Sequence, residues 1–345
     1  MNPTVNTELS LFCPCQECDF YQKIDNKITK DGSYKTKTDK TPRQMYYCHG
    51  GKHRFSSSRY SDLFQKQGSF KEYEMASKMV CYGLSQTQIA DVLERDVRTV
   101  EEWLQVAPKK SEEFHLFICM TLKLKLFFLQ MDELWSFCKA KNHQLWVFIA
   151  FEARSKFWIH TELGSRTNHT ANRLVAQVKR VGDFGKRNIL KITTDKLAAY
   201  KNALKTQLVG IKYHYLQIVK QRFKRRLKTV KKCFVKGTET DFPNGTQNTS
   251  FIERFNLTLR QHVSYLTRKT LGYCKKRTNF KYILLINLYN YNYIQFNKSL
   301  RLKISENPQK FKKRYQHYTP AMKMCLTQTA LTWRYLLITP IPTNH

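Results

Sequence analysis

The sequence predicts an α/β fold, a mixed sheet flanked by helices, with two small modules ahead of it. Four stretches predict the sheet. FFLQMDELWSFCKA, HQLWVFIAFEA and KFWIHTELGS are dense in aromatic and β-branched residues, and the intervening KAKNHQ and RSK are short enough for hairpin turns. After them, TNHTANRLVAQVKRVGDF sets Ala171, Leu174, Val175 and Val178 on one helical face behind Thr167 as cap. NILKITTD is then a short, nearly continuous apolar strand, and LAAYKNALKTQL turns helical again. Three antiparallel strands, a helix, a parallel strand and a helix is the element order of a ribonuclease-H-like fold.

Charge points to the partner. Lys and Arg number 60 against 26 acids, a net charge of +34 spread along all 345 residues. A compact body with that excess repels itself unless it works beside a polyanion, and nucleic acid returns the most through counterion release. A bilayer span needs about 18 apolar residues in a row. LFICMTLKLKLFFLQ comes nearest and is broken by Lys123 and Lys125. MNPTVNTELS lacks the regions of a signal peptide. The expected setting is the cytoplasm or nucleoid, or the nucleus of a eukaryotic host, with reduced cysteines and no membrane partner.

Residues 1–65 form the first expected module. Cys15 and Cys18 stand in a CxxC knuckle, and Cys48 with His53 or His49 would complete a tetrahedral zinc site. The polar loop between these halves cannot bury a core unaided, so a metal is a reasonable staple. Residues 66–108 form the second. GLSQTQIADVLERDVRTVEEWL spaces Leu84, Ile89, Leu93, Val97, Val100 and Leu104 helically around a break at 94–96. That is helix-turn-helix grammar, with Ser85 opening the first helix, Asp96 capping the second, and Arg95, Arg98 and Thr99 facing DNA. Pro108 and KKSEE read as a linker to the catalytic domain, residues 109–300, and a basic helical extension fills 301–345.

Within the catalytic domain, Asp132 lies mid-strand among apolar neighbours and Asp195 ends the fourth strand. Glu253 sits on a helix whose apolar stripe is Phe251, Phe255, Leu259, Val263 and Leu266. A carboxylate in such surroundings is expensive to bury unless paired or bound to a cation. Three hard carboxylates brought to one sheet edge suit Mg²⁺ or Mn²⁺, as two ions about 3.5–4 Å apart that activate a water and stabilise the leaving oxygen. On the Glu253 helix, Asn256, Arg260 and Gln261 would position DNA. An insert over 210–247 holds KQRFKRRLKTVKKCFVK, without an acid, and Lys220, Arg222, Arg225 and Arg226 there would clamp phosphates.

DELWSF, TTDKLAAY and NTSFIERFNLTLRQHVSYLTRKTLGYCKK resemble the IS1 family of DDE transposases. So do the cysteine knuckle, the helix-turn-helix and TPAMKMCLTQTALTWRYLL, so that the resemblance spans nearly the whole chain. It implies binding of terminal inverted repeats, strand cleavage and transfer into target DNA by a homo-oligomer, with Asp132, Asp195 and Glu253 as the catalytic acids. Two departures stand out. Gly51 replaces the expected fourth cysteine, and the stretch from Asp195 to Glu253 is longer than in the shortest members. A same-fold nuclease that does not join strands, or a decayed DNA-binding repressor, is the alternative.

Overall fold

The computed structural model describes residues 12–21, 27–36, 42–60, 64–185, 189–224, 226–243, 245–269, 272–304, 315–339 and 341. The chain opens with a three-stranded antiparallel sheet, β1 (Ile28–Tyr34), β2 (Arg43–Cys48) and β3 (His53–Ser56). Three helices follow: α1 (Phe70–Cys81), α2 (Gln86–Val92) and α3 (Val97–Leu122). Ser85 and Gln88 form a capping box on α2, and Asp96 caps α3 by accepting from the Arg98 N–H at 2.7 Å. Each such cap is worth about 1 kcal/mol.

The linker expected at Pro108 does not exist. Pro108 lies inside α3, which runs unbroken for 26 residues. Proline there removes one backbone bond, but it is buried, and Phe114, His115, Ile118 and Cys119 beyond it bury the same helix in the main core. Packing outweighs the local penalty. Phe70, Tyr73, Ile89 and Trp103 belong to the same buried cluster as Leu129, Phe148 and Leu174, so the helical module and the sheet share one core.

The main sheet follows the expected order. Strand β4 (Leu124–Lys125) pairs with β8 (Gly182–Asp183) at its margin. Strands β5 (Phe128–Phe137), β6 (Gln144–Glu152) and β7 (Phe157–Gly164) are antiparallel neighbours. Helix α4 (Asn168–Val181) crosses to β9 (Leu190–Thr194), which lies parallel to β5. Helix α5 (Ala198–Gln207) leads to β10 (Tyr213–Phe223), parallel to β9, and β11 (Arg226–Lys236) returns antiparallel. The order β11-β10-β9-β5-β6-β7 is the ribonuclease-H-like arrangement with a hairpin added at its open edge.

Side-chain alternation along β5 divides the core between two faces. Leu129 and Met131 meet α4 and α5, while Leu134 packs with Val147, Ile149 and Phe151 against α6 (Ser250–His262) and α7 (Arg277–Tyr289). Ile252, Phe255 and Leu259 bury the inner stripe of α6, each worth about 1.5–3 kcal/mol. That stripe fixes the rotation of α6 and aims Glu253, Asn256 and Arg260 at the sheet edge. The last described elements are β12 (Leu302–Lys303), β13 (Tyr315–Gln316), α8 (Pro320–Lys323) and α9 (Trp333–Ile338). Trp333, Leu336 and Leu337 of α9 join the main core.

Candidate active site

Asp132 and Asp195 come together where β5 and the end of β9 lie side by side. Carboxylate oxygens of Asp132, Glu133 and Asp195 fall within 4.8 Å of one another. They line a cavity of about 700 Å³ with Glu253, Asn256 and Arg260 of α6, and with Lys196, Lys220 and Arg268. Burial, then the charges of Glu133, Asp195 and Glu253, push the Asp132 carboxyl up to about 7. Its side-chain partner is Asn256, whose Nδ2 donates to Oδ2 at 2.7 Å. Asn256 is buried, so the expectation that it contacts DNA is corrected: it holds a carboxylate.

Glu253 lines the same cavity but stands outside the tight trio. Its Oε1 accepts from Lys220 Nζ and from Thr249 Oγ1. The ion pair that a lone acid on this helix invites is thus made across to the β10 hairpin, not to Arg254 or Arg260. Glu133 is the residue that sequence reasoning missed. It sits on the opposite face of β5 from Asp132, where Arg166 Nε donates to it at 2.8 Å and the Tyr200 hydroxyl at 3.2 Å. Burial and Asp195 raise its carboxyl, and Arg166 and Tyr200 oppose the rise. The adjacency of two acids in DELWSF is the signal that could have found it.

Other expected contacts divide by environment. Arg98 is exposed and Thr99 half-buried at the start of α3, while Arg95 is paired to Glu72 at 2.7 Å. Gln261 is exposed. Arg260 is half-buried on the cavity wall, where burial and the charge of Arg268 lower its pKa. Arg226 and its neighbours form an exposed strand, so the basic insert is a hairpin. Arg225 lies outside the described residues, as does the side chain of Arg222.

In the N-terminal module the thiols that come together include Cys13 in place of the expected Cys15. Sulfurs of Cys13, Cys18 and Cys48 lie within 4.8 Å of one another, and His53 Nε2 is 3.1 Å from Cys13 Sγ. Cys15 is half-exposed and its thiol stands outside this trio, while its carbonyl accepts from the Cys18 N–H at 3.1 Å. Cys13, bridged to Tyr21 with its N–H donating to the Phe20 carbonyl, is buried instead. Ligands about 2.3 Å from one tetrahedral centre sit about 3.8 Å apart, and Cys18 and Cys48 are 3.8 Å apart. His53 Nδ1 faces the Gly51 carbonyl at 3.0 Å, the outer bond that orients a metal-binding imidazole. A Cβ on Gly51 would meet His53 Cε1 at 2.5 Å and Cys18 Sγ at 2.8 Å, so a cysteine at 51 would displace His53 or Cys18 from these positions. His49 points elsewhere, to Thr29.

The ribonuclease-H-like sheet thus brings two aspartates to one edge, opened toward a wall of lysine and arginine side chains. The model of the IS1 transposase family matches residues 125–240, a span that contains Asp132 and Asp195 and ends before Glu253. The InsB protein of insertion element IS1 4 from Escherichia coli K12 is 27% identical over 146 residues, covering 42% of this chain and 64% of that relative, under two thirds of its length. InsB of IS1 from Shigella sonnei is also 27% identical over 146 residues, covering 82% of that protein. Over residues 125–240 the chain is thus similar to IS1 transposases, as its motifs led one to expect. Among solved structures, the catalytic core domain of BIV integrase is similar at TM-score 0.30 and 14% identity, over 57% of this chain and 91% of that one. The piggyBac transposase in a synaptic complex with hairpin DNA is similar at TM-score 0.35 and 12% identity, over 63% of each. No helix among the described residues is long and apolar enough to cross a membrane.

Proposed function

We propose that the chain is a DNA transposase of the IS1 family, which binds the terminal inverted repeats of its element, cleaves a strand there and joins it to target DNA. The approach of Asp132, Glu133 and Asp195 within 4.8 Å, in a cavity walled by Glu253 and several cations, carries the reading. Such a hard-oxygen set suits Mg²⁺ or Mn²⁺. Asp132 argues for the fit, since its crowding by other carboxylates is what a divalent cation relieves. Asp132 and Asp195 would hold the metal, with Glu253 as third catalytic acid and Glu133 beside them. A bound divalent ion polarises the phosphate and lowers the pKa of an attacking water.

The chain's own side chains do the rest. Asn256 fixes the rotamer of Asp132, and Thr249 fixes that of Glu253. Lys196, Arg260 and Arg268 put positive charge where backbone phosphates would lie. Lys220, paired to Glu253, can exchange that carboxylate for a phosphate. Arg98 and Thr99 on α3 would meet DNA away from the cavity, with Cys13, Cys18, Cys48 and His53 holding zinc as a staple for the first module. Joining two element ends requires two or more copies of the chain.

Incubation of the full chain with labelled end DNA, Mg²⁺ and a target plasmid tests this. Wild type yields nicked and joined strands, and Asp132→Ala and Asp195→Ala yield neither. Nicking without joining would identify a nuclease. Repeat binding by a wild type that neither nicks nor joins would identify a repressor.

A further inference from the structure

Strand β5 continues past Glu133 as Trp135 and Phe137, on the same strand face. Trp135 is 44% exposed, although an indole is among the most favourable groups to bury. Its ring is 5.5 Å from Phe137, and Phe137 stacks on Tyr273 at 5.9 Å and 16°. Tyr273 is itself 40% exposed. Trp135 and Phe137 border a second cavity, about 660 Å³, with Trp146 and Lys141 on its wall. It shares Glu133, Arg260 and Arg268 with the acidic cavity, so the two are continuous. Among the described residues Lys141, Arg260 and Arg268 form no ion pair.

We propose that this cleft receives an unpaired nucleotide of the DNA strand, its base stacked on Trp135 and its phosphate met by Arg268 and Lys141. Uncovered ring faces accept any base through its π-face, and free cations alongside them select an anionic ligand. A paired base hides its faces against its neighbours, so the occupant is a splayed or single strand rather than a duplex. The volume falls in the range of about 300–1,000 Å³ typical of enclosed ligand sites, enough for one nucleotide. Continuity with the acidic cavity places this nucleotide next to the phosphate that the transposase reading puts there. The inference takes its strand from that reading, and its test requires no catalysis.

A fluorescein-labelled single-stranded oligonucleotide and its duplex are titrated with the full chain in EDTA. Trp135→Ala weakens single-strand binding by about tenfold, the scale of one missing stack, and leaves duplex binding within about twofold. Trp135→Phe restores most of the loss. A 2-aminopurine placed in the strand is quenched by wild type and less so by Trp135→Ala. Equal loss on single strand and duplex, or a change of oligomeric state with single-strand affinity intact, overturns the proposal and makes the rings a general or protein-facing surface. Selective loss of single-strand binding in a chain that neither cuts nor joins DNA would uphold the cleft and sink the transposition chemistry.

Discussion

The carboxamide of Asn256 donates to Asp132 across 2.7 Å and thereby ties helix α6 to the first strand of the main sheet. Asp132, pushed up to about 7 by burial and by neighbouring carboxylates, has that amide as its side-chain anchor. Removing an outer partner of a metal-holding group typically costs 10- to 100-fold in affinity or activity. Asn256→Ala should therefore raise the Mg²⁺ concentration for half-maximal cleavage by about 10- to 100-fold. Asn256→Asp should do worse, because it sets another carboxylate against Asp132. Metal titrations of strand cleavage, with circular dichroism to confirm folding, check both.

The N-terminal cluster separates Cys13 from Cys15. If Cys13, Cys18, Cys48 and His53 hold zinc, Cys13→Ser should lose the metal and Cys15→Ser should keep it. Metal analysis of the purified variants reads this directly. Chelation of the wild type should unfold β1–β3, because the cluster around Phe12, Tyr46 and Phe55 is small for a self-sufficient core. Retention of zinc by Cys13→Ser and loss by Cys15→Ser would restore the simple CxxC pairing.

The basic hairpin pairs with β9 only over Tyr213–Gln217; beyond that, β10 and β11 pair with each other as a ribbon. Lys228 and Lys231 are exposed on it. Lys228→Glu and Lys231→Glu should weaken DNA binding alike for specific and random duplexes. The slope of log affinity against log salt should fall by about 0.9 for each phosphate that the variant no longer neutralises. Equilibrium binding at several salt concentrations measures it.

The sheet was legible because its hairpin turns are short and its strands long, so pairing follows from chain order. The two aspartates were legible as charges placed in apolar strands. Glu133 was not, because alternation along β5 sends it to the face opposite Asp132, and only the shared sheet end reunites them with Asp195. Cys13 was hidden by the more familiar Cys15-x-x-Cys18 spacing, since its burial rests on a bridge to Tyr21 that spacing does not reveal. Pro108 misled through local propensity, which the burial of α3 overrides. Asn256 shared a helical face with Arg260, and sequence spacing alone cannot tell an amide on a carboxylate from one on a phosphate.

His115 lies in the middle of α3, fully enclosed, and offers an acid-sensitive measure of the shared core. Its Nδ1 meets the Tyr293 hydroxyl at 2.9 Å, its Nε2 meets the Ile159 carbonyl at 2.8 Å, and the ring stacks on Phe157. Burial lowers its pKa from 6.5 to about 4. The unfolded chain therefore takes up a proton before the folded one, and stability contributed by the neutral ring is lost as pH falls from about 6.5 toward 4. At pH 5 the loss from this group should be about 2 kcal/mol relative to pH 8. His115→Phe removes two hydrogen bonds and should be less stable at pH 8, yet it should lack this share of the acid slope. Denaturant unfolding of both proteins at pH 8 and pH 5 gives the comparison, and equal slopes would mean that the ring takes up its proton as readily in the native core as in the unfolded chain.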